Sequence, residues 1–275
     1  MTEVSYRGSD GSPLFAAVIK AEGQRVPCGE GPVLVLLHGG GPDHHSLVPL
    51  ARLLCDSHTV VLPDVRGYGR SVCTDELRHT WAQYAEDVIA LLDHLGVRRA
   101  VVGGAGVGTT ITLRAAVAHP DRVCALVLIS VEDIEDDEKK EAEIAFMDAF
   151  AARVRADGIE AAWEPILSTL PPIIGAMVRD AIPRSDPASV AAAAAIGRDR
   201  SFRTVEELAV ITAPTLIIPG IDWRHPRELA EKLAGTLPRG HLAPVTLSAD
   251  LHTLDDFAQA FAPTIRQFLT TVVSV

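Results

Sequence analysis

Two apolar patterns alternate along this chain: short unbroken hydrophobic runs and longer amphipathic stretches. Residues 33–37 (VLVLL), 59–62 (TVVL), 100–102 with their flanks, 125–129 (ALVLI) and 215–218 (TLII) are the runs. Continuous runs of this length predict strands buried on both faces. Residues 84–95 (YAEDVIALLDHL) and 227–237 repeat their apolar positions at helical spacing. Strands alternating with helices imply right-handed crossovers and a mainly parallel, doubly wound sheet. Residues 4–20 read instead as a short antiparallel lead-in with a turn at 8–13.

The alternation stops at about residue 132. From 132 to 202 the strand signal disappears, and an acidic run (EDIEDDEKKEAE) leads into proline-punctuated and alanine-rich helical sequence. This pattern predicts a helical cap (132–202) inserted into a core made of 1–131 and 203–275. A cap there covers the C-terminal edge of the sheet, where open α/β sheets bind ligands. Ile174 and Met177 then become candidate pocket-lining residues, together with Ile173 and Val178.

Composition narrows the function classes. The chain has 275 residues, 48% of them hydrophobic, enough for a large buried core. A net charge of −11 gives no electrostatic case for nucleic acid or an anionic membrane as partner. Cys28, Cys55, Cys73 and Cys124 lie far apart and form no C-x-x-C pair, as expected of free thiols in a reducing compartment. The opening Met-Thr-Glu carries no basic and apolar leader, and no run of about 20 apolar residues is present. A cytoplasmic monomer or homodimer acting on a small molecule is the expectation.

The motifs are more specific. His38-Gly39-Gly40-Gly41-Pro42 follows one buried strand, and Asp64-Val65-Arg66-Gly67-Tyr68-Gly69-Arg70-Ser71 follows the next. The Tyr84-Ala85-Glu86-Asp87 helix start, Ala118-His119-Pro120 and the 123–129 strand come after them in order. This succession resembles the α/β-hydrolase superfamily over nearly the whole chain outside the cap. The resemblance implies that the backbone N–H groups of Gly39, Gly40 and Gly41, with that of Val107, form an oxyanion hole. It gives the Asp64–Ser71 loop a structural role without chemistry.

The family's nucleophile elbow reads G-x-S-x-G between a strand and a helix. Here the segment is Gly103-Gly104-Ala105-Gly106-Val107-Gly108, and the ungapped register puts Gly106 at the nucleophile position. A shifted register puts Ala105 there. Neither carries a hydroxyl, thiol or carboxylate, so no acyl-enzyme forms at this position. Thr109 and Thr110 fall in the first turn of the following helix and Ser71, Cys73 and Ser130 near strand ends, none on a turn that projects a side chain into the site.

The resemblance supplies two further residues. Asp250-Leu251-His252 before the final amphipathic helix is similar to the loop that carries the catalytic histidine, which makes His252 the expected base. Asp222, in the turn after the 215–218 strand, is the expected acid, with Asp133 as the alternative. His44 and His45, just beyond the glycine loop, are candidate substrate contacts. His38, His44, His45 and His225 show no metal-ligand spacing, so structural or hydrogen-bonding roles are expected and no metal or cofactor is implied.

Two function classes follow from this reading. One is an enzyme in which a His-Asp pair acts as general base without a serine nucleophile, by water-mediated hydrolysis, lyase cleavage or cofactor-free oxygenation. The other is a catalytically inactive small-ligand binding protein on the hydrolase scaffold.

Overall fold

The computed structural model describes residues 1–21, 32–132, 134 and 136–273. Among the described residues, eight strands form a single sheet in the order β1-β2-β4-β3-β5-β6-β7-β8. The lead-in is the antiparallel hairpin of β1 (Thr2–Arg7) and β2 (Pro13–Ile19), and β2 runs antiparallel to β4. From there β3 (Val33–Leu37), β4 (Thr59–Pro63), β5 (Ala100–Gly106), β6 (Val123–Val131), β7 (Thr215–Ile218) and β8 (Gly240–Leu242) pair in parallel.

Side-chain alternation explains the double winding. In β3, Val33, Val35 and Leu37 belong to the apolar cluster on the face that carries α2 (Trp81–His94), α3 (Val107–Ala118) and α8 (Arg227–Thr236). Leu34 and Leu36 pack on the other face against α1 (Val48–Leu54) and α9 (Leu254–Val273). Both faces of each inner strand are therefore apolar, as the unbroken runs demanded. No helix among the described residues is long and apolar enough to cross a membrane. Cys55, Cys73 and Cys124 carry free thiols, and Cys28 lies outside the described residues.

Helix boundaries follow local chemistry. The Thr80 hydroxyl accepts from the Gln83 N–H and caps α2, satisfying one of the donors a helix start leaves open. Thr80→Ala is expected to lower stability by about 1 kcal/mol without changing activity, which thermal unfolding monitored by circular dichroism will read.

Between β6 and β7 the chain is helical: α4 (Asp137–Asp157), α5 (Ile159–Leu167), α6 (Pro172–Ala181) and α7 (Pro187–Ala193) with short 3-10 turns. These helices have their own small core around Val154, Ile159, Ala162 and Val190. They also grip the sheet's loops. Arg184 binds Asp43 through two hydrogen bonds of 2.7 and 3.2 Å, and the Ser189 hydroxyl donates to the Gly67 carbonyl.

Candidate active site

A cavity of about 150 Å³ opens between these helices and the C-terminal ends of the strands. The sheet contributes Gly39, Gly40 and Gly41 after β3, Tyr68 after β4, Gly106 and Val107 after β5, and Ser130 and Glu132 at the end of β6. Asp222, Arg224 and His225 come from the turn after β7. The opposite wall is apolar and includes Phe150, Trp163, Ile174 and Met177. Ile174 and Met177 thus sit where the sequence places them.

The glycine loop is pinned from below. His38 Nδ1 lies 2.7 Å from the Gly39 carbonyl, and its Nε2 accepts the Val65 N–H at 2.9 Å. The second bond requires an unprotonated Nε2, so Nδ1 carries the proton and donates. Burial pushes His38 below the usual histidine range, against the pull of Asp64, which keeps the ring neutral. Gly41 holds a φ of +97°, and a Cβ there would stand 2.6 Å from the Trp163 ring, so only glycine fits beneath α5.

The neighbouring histidines do not reach the cavity wall. His44 is buried, with Nδ1 2.8 Å from Asp64 Oδ1. Asp64 also accepts the His44 and Arg70 N–H groups at 2.9 and 2.8 Å, and so ties together the loops after β3 and β4. His45 is half-buried and leans on Asp43 at 3.2 Å. Neither ring, both expected as substrate contacts, lines the cavity; each holds an aspartate of the loops instead. Ligand atoms of Asp43, His44 and His45 lie within 4.8 Å of one another, but Arg184 occupies the Asp43 carboxylate and Asp64 occupies His44 Nδ1.

The turn from β5 into α3 is sharp. Gly106 has φ +51° and ψ −122° and caps a helix that begins at Val107. As the first helical residue, Val107 has an N–H without an intrahelical acceptor. A Cβ on Gly104 would stand 2.5 Å from Gly108, and one on Gly108 would stand 2.5 Å from the Leu37 carbonyl. Both glycines are required by close backbone approach. A Cβ on Gly106, by contrast, meets His225 Nε2 at 3.4 Å and Gly39 Cα at 3.7 Å, which is ordinary contact.

Asp222 and His225 form the pair at this point. His225 Nδ1 lies 2.8 Å from Asp222 Oδ1, and the same oxygen accepts the Arg224 and His225 N–H groups at 2.9 and 3.1 Å. Burial raises the Asp222 carboxyl, but the bonds from His225 and the two backbone groups outweigh it and hold the group below its usual range. An ionised Asp222 keeps the Nδ1 proton in place and leaves the Nε2 lone pair directed at Gly106.

The structure pairs Asp222 with His225 and not with His252. His252 is exposed and absent from the cavity wall. Its N–H and that of Thr253 donate to the Asp256 carboxylate, while the Asp256 N–H donates to Thr253 Oγ1. This reciprocal cap opens α9 on the solvent side, and the inward positions of the segment are Leu247 and Phe257. Asp133 lies outside the described residues.

The end of β6 departs from regular geometry. Ala105 pairs with Ile129 and Gly106 with Val131, so Ser130 is an extra residue in the ladder. It has φ +55°, and its buried Oγ has no hydrogen-bond partner among the described residues. A bulge of this kind redirects the strand that follows, and Glu132 comes next to the cavity. Glu132 Oε2 accepts from Thr110 Oγ1 at 3.2 Å. Burial pushes its carboxyl above the usual range, although His225 and Arg224 pull the other way. Arg224 itself is held by Glu143 through bonds of 3.1 and 2.6 Å. Tyr68, given no chemistry from sequence, faces the cavity as well; burial and the nearby Glu132 raise its phenol.

His225 and Glu132 are the polar groups that sequence reasoning passed over. The signal for His225 was the D-x-x-H spacing of Asp222 and His225, which a tight turn brings face to face. Glu132 had no signal, because an unpaired strand residue creates its position.

Comparison with known proteins agrees with this architecture. The family model of the alpha/beta hydrolase fold matches residues 32–170. A Variovorax paradoxus protein bearing the name of the carbamate hydrolase RutD is 30% identical over 236 residues, covering 78% of this chain and 86% of that protein. The 2-hydroxymuconate semialdehyde hydrolase of Pseudomonas putida is 33% identical over 123 residues, covering 43% of this chain and 44% of that one. The matches to the first three curated relatives span 35–44% of those proteins' lengths. Among solved structures, a thermophilic esterase from Thermogutta terrifontis has a TM-score of 0.78 at 25% identity and covers 99% of each chain. With a doubly wound sheet, a strand–glycine–helix turn and this match across half its length, the chain belongs to the alpha/beta hydrolase family.

Proposed function

We propose that this protein is an enzyme that uses His225, oriented by Asp222, as a general base on a small, largely apolar organic molecule, without a covalent intermediate. One observation carries the reading: His225 Nε2 faces a strand-to-helix turn whose residue, Gly106, has no side chain. A histidine aimed at an absent nucleophile has its proton-accepting nitrogen free for substrate or for a bound water. The Val107 N–H and the loop of Gly39, Gly40 and Gly41 supply an oxyanion hole for the charge that develops. The helical segment 132–202 serves as the cap, and its apolar wall sets the substrate's character. Relatives bearing the names of carbamate and semialdehyde hydrolases fit small organic substrates of this kind.

Turnover of activated esters and lactones by the purified protein, with dissolved oxygen monitored, tests the proposal beside Asp222→Asn. Asparagine keeps the shape of Asp222 but lacks the charge that stabilises the protonated ring. Turnover is expected in the native protein, with a loss of about hundredfold in Asp222→Asn, and oxygen uptake separates oxygenation from hydrolysis or lyase cleavage. Ligand binding with no turnover under any condition overturns the enzyme reading and leaves a small-ligand binding protein.

A further inference from the structure

Glu132 occupies a position that the base reading does not use. It lines the main cavity and also a second void of about 40 Å³ bounded by Trp81, Thr110, Lys140 and Phe202. A void of that size has room for water. Glu132 therefore stands between the substrate space and a small side chamber that Lys140, Glu143 and Arg200 also line, a suitable place for a group that gives up a proton and regains it. Its aim is set on both sides. Upstream, the extra residue Ser130 keeps a positive φ that ordinary side chains avoid. Across the gap, Thr110 Oγ1 donates to Oε2. Strain retained beside a cavity is characteristic of functional positions.

Beyond Lys140 and Arg200 in the side chamber, charged and titratable groups face Glu132 from three directions. His225 and Arg224 face it from the turn after β7, Glu143 from α4 and Tyr68 from the loop after β4. Arg224 is already engaged by Glu143 at 2.6 Å. Burial is the largest influence on the carboxyl and favours its neutral form. A carboxyl whose neutral form burial favours therefore shares the cavity with a histidine whose Nε2 faces Gly106.

We propose that Glu132 is the proton donor that partners the His225 base, and that the cavity enolises an apolar carbonyl compound. This rests on the reading of His225 as base. In the forward step the α-carbon's proton passes to His225 Nε2, and its electron pair forms a carbon–carbon double bond. The carbonyl π pair moves onto oxygen, where the Val107 N–H receives it. Glu132 then gives its proton to the enolate, at carbon or at oxygen. The imidazolium releases a proton to water and Glu132 takes one back, so nothing is consumed and no co-reactant is required. The empty elbow suits this chemistry, because a serine there would occupy the space between base and α-carbon.

The experiment follows α-proton exchange of 2-phenylcyclohexanone in heavy water by proton NMR, with 4-nitrophenyl acetate and lactone hydrolysis measured in parallel. The native protein is expected to catalyse exchange, with a rate that falls as pH rises and Glu132 loses its proton. Glu132→Gln retains the acceptor for Thr110 but has no acidic proton. It is expected to slow exchange by about ten- to hundredfold and to abolish that alkaline fall. If Glu132→Gln does not fold, Thr110→Val removes only the hydroxyl that aims the carboxyl, and about a tenfold loss is expected. A variant with native rate and native pH profile overturns the role of Glu132 and leaves His225 as base. Hydrolysis that depends on His225, with no exchange by the native protein, overturns the enolisable substrate class alone. Loss of both activities overturns the base reading as well.

Discussion

His225→Ala is expected to lower turnover by about 10²- to 10⁴-fold, whereas His252→Ala leaves it unchanged. The difference follows from geometry. His225 shares a 2.8 Å hydrogen bond with Asp222, and its other nitrogen lies 3.4 Å from the point where a side chain on Gly106 would begin. Removing the ring removes the proton acceptor and leaves the Asp222 carboxylate without its side-chain partner. His252 belongs to the exposed cap of α9, and the contact recorded there is its main-chain N–H to Asp256. Alanine retains that N–H. Steady-state rates of the two variants against any substrate found in the turnover screen decide the matter. Equal losses in both, or a loss confined to His252→Ala, would sink the assignment of His225.

The two histidines also mark the limit of what the sequence disclosed. The inner strands were legible because burial on both faces leaves unbroken runs such as VLVLL and TLII, and the structure places strands over the same residues. Helix periodicity found the amphipathic stretches of α2 and α8 to within a few residues. The edge strand Gly240–Leu242 left no such trace, since it is three residues long and largely exposed. The site was partly readable for a related reason. Glycine positions in the loop after β3 and at the β5–α3 turn are dictated by close backbone approach, and that requirement is written in the residue type. The base is not dictated in this way. Family layout pointed to the loop before α9, but the inward places there belong to Leu247 and Phe257. The histidine at the cavity instead comes from the turn that carries Asp222. Glu132 depends on the bulge at Ser130, and no periodicity signals a single inserted residue.

Gly106→Ser is expected to create an esterase at a turn where the native residue carries no side chain. The Cβ of the introduced serine would meet His225 Nε2 at 3.4 Å and Gly39 Cα at 3.7 Å, contacts that need no rearrangement. A hydroxyl one bond further out comes within hydrogen-bond reach of Nε2, while Nδ1 stays on Asp222. The three groups then reproduce the roles of nucleophile, base and orienting acid, with the Val107 N–H at the oxyanion position. Backbone strain opposes the change. A φ of +51° is free for glycine but costs other residues about 1–3 kcal/mol, so a lower unfolding temperature is expected alongside the new activity. The chain already bears this strain at Ser130, whose φ is +55°. A burst of 4-nitrophenol from 4-nitrophenyl acetate, and a single phosphonyl adduct from a fluorophosphonate probe mapped to the introduced serine, are the expected signatures. Both should vanish when His225→Ala is added. A folded Gly106→Ser variant that gives neither burst nor adduct would mean that Nε2 is not available at the turn. The general-base reading would then fall, because it relies on the same nitrogen at the same place.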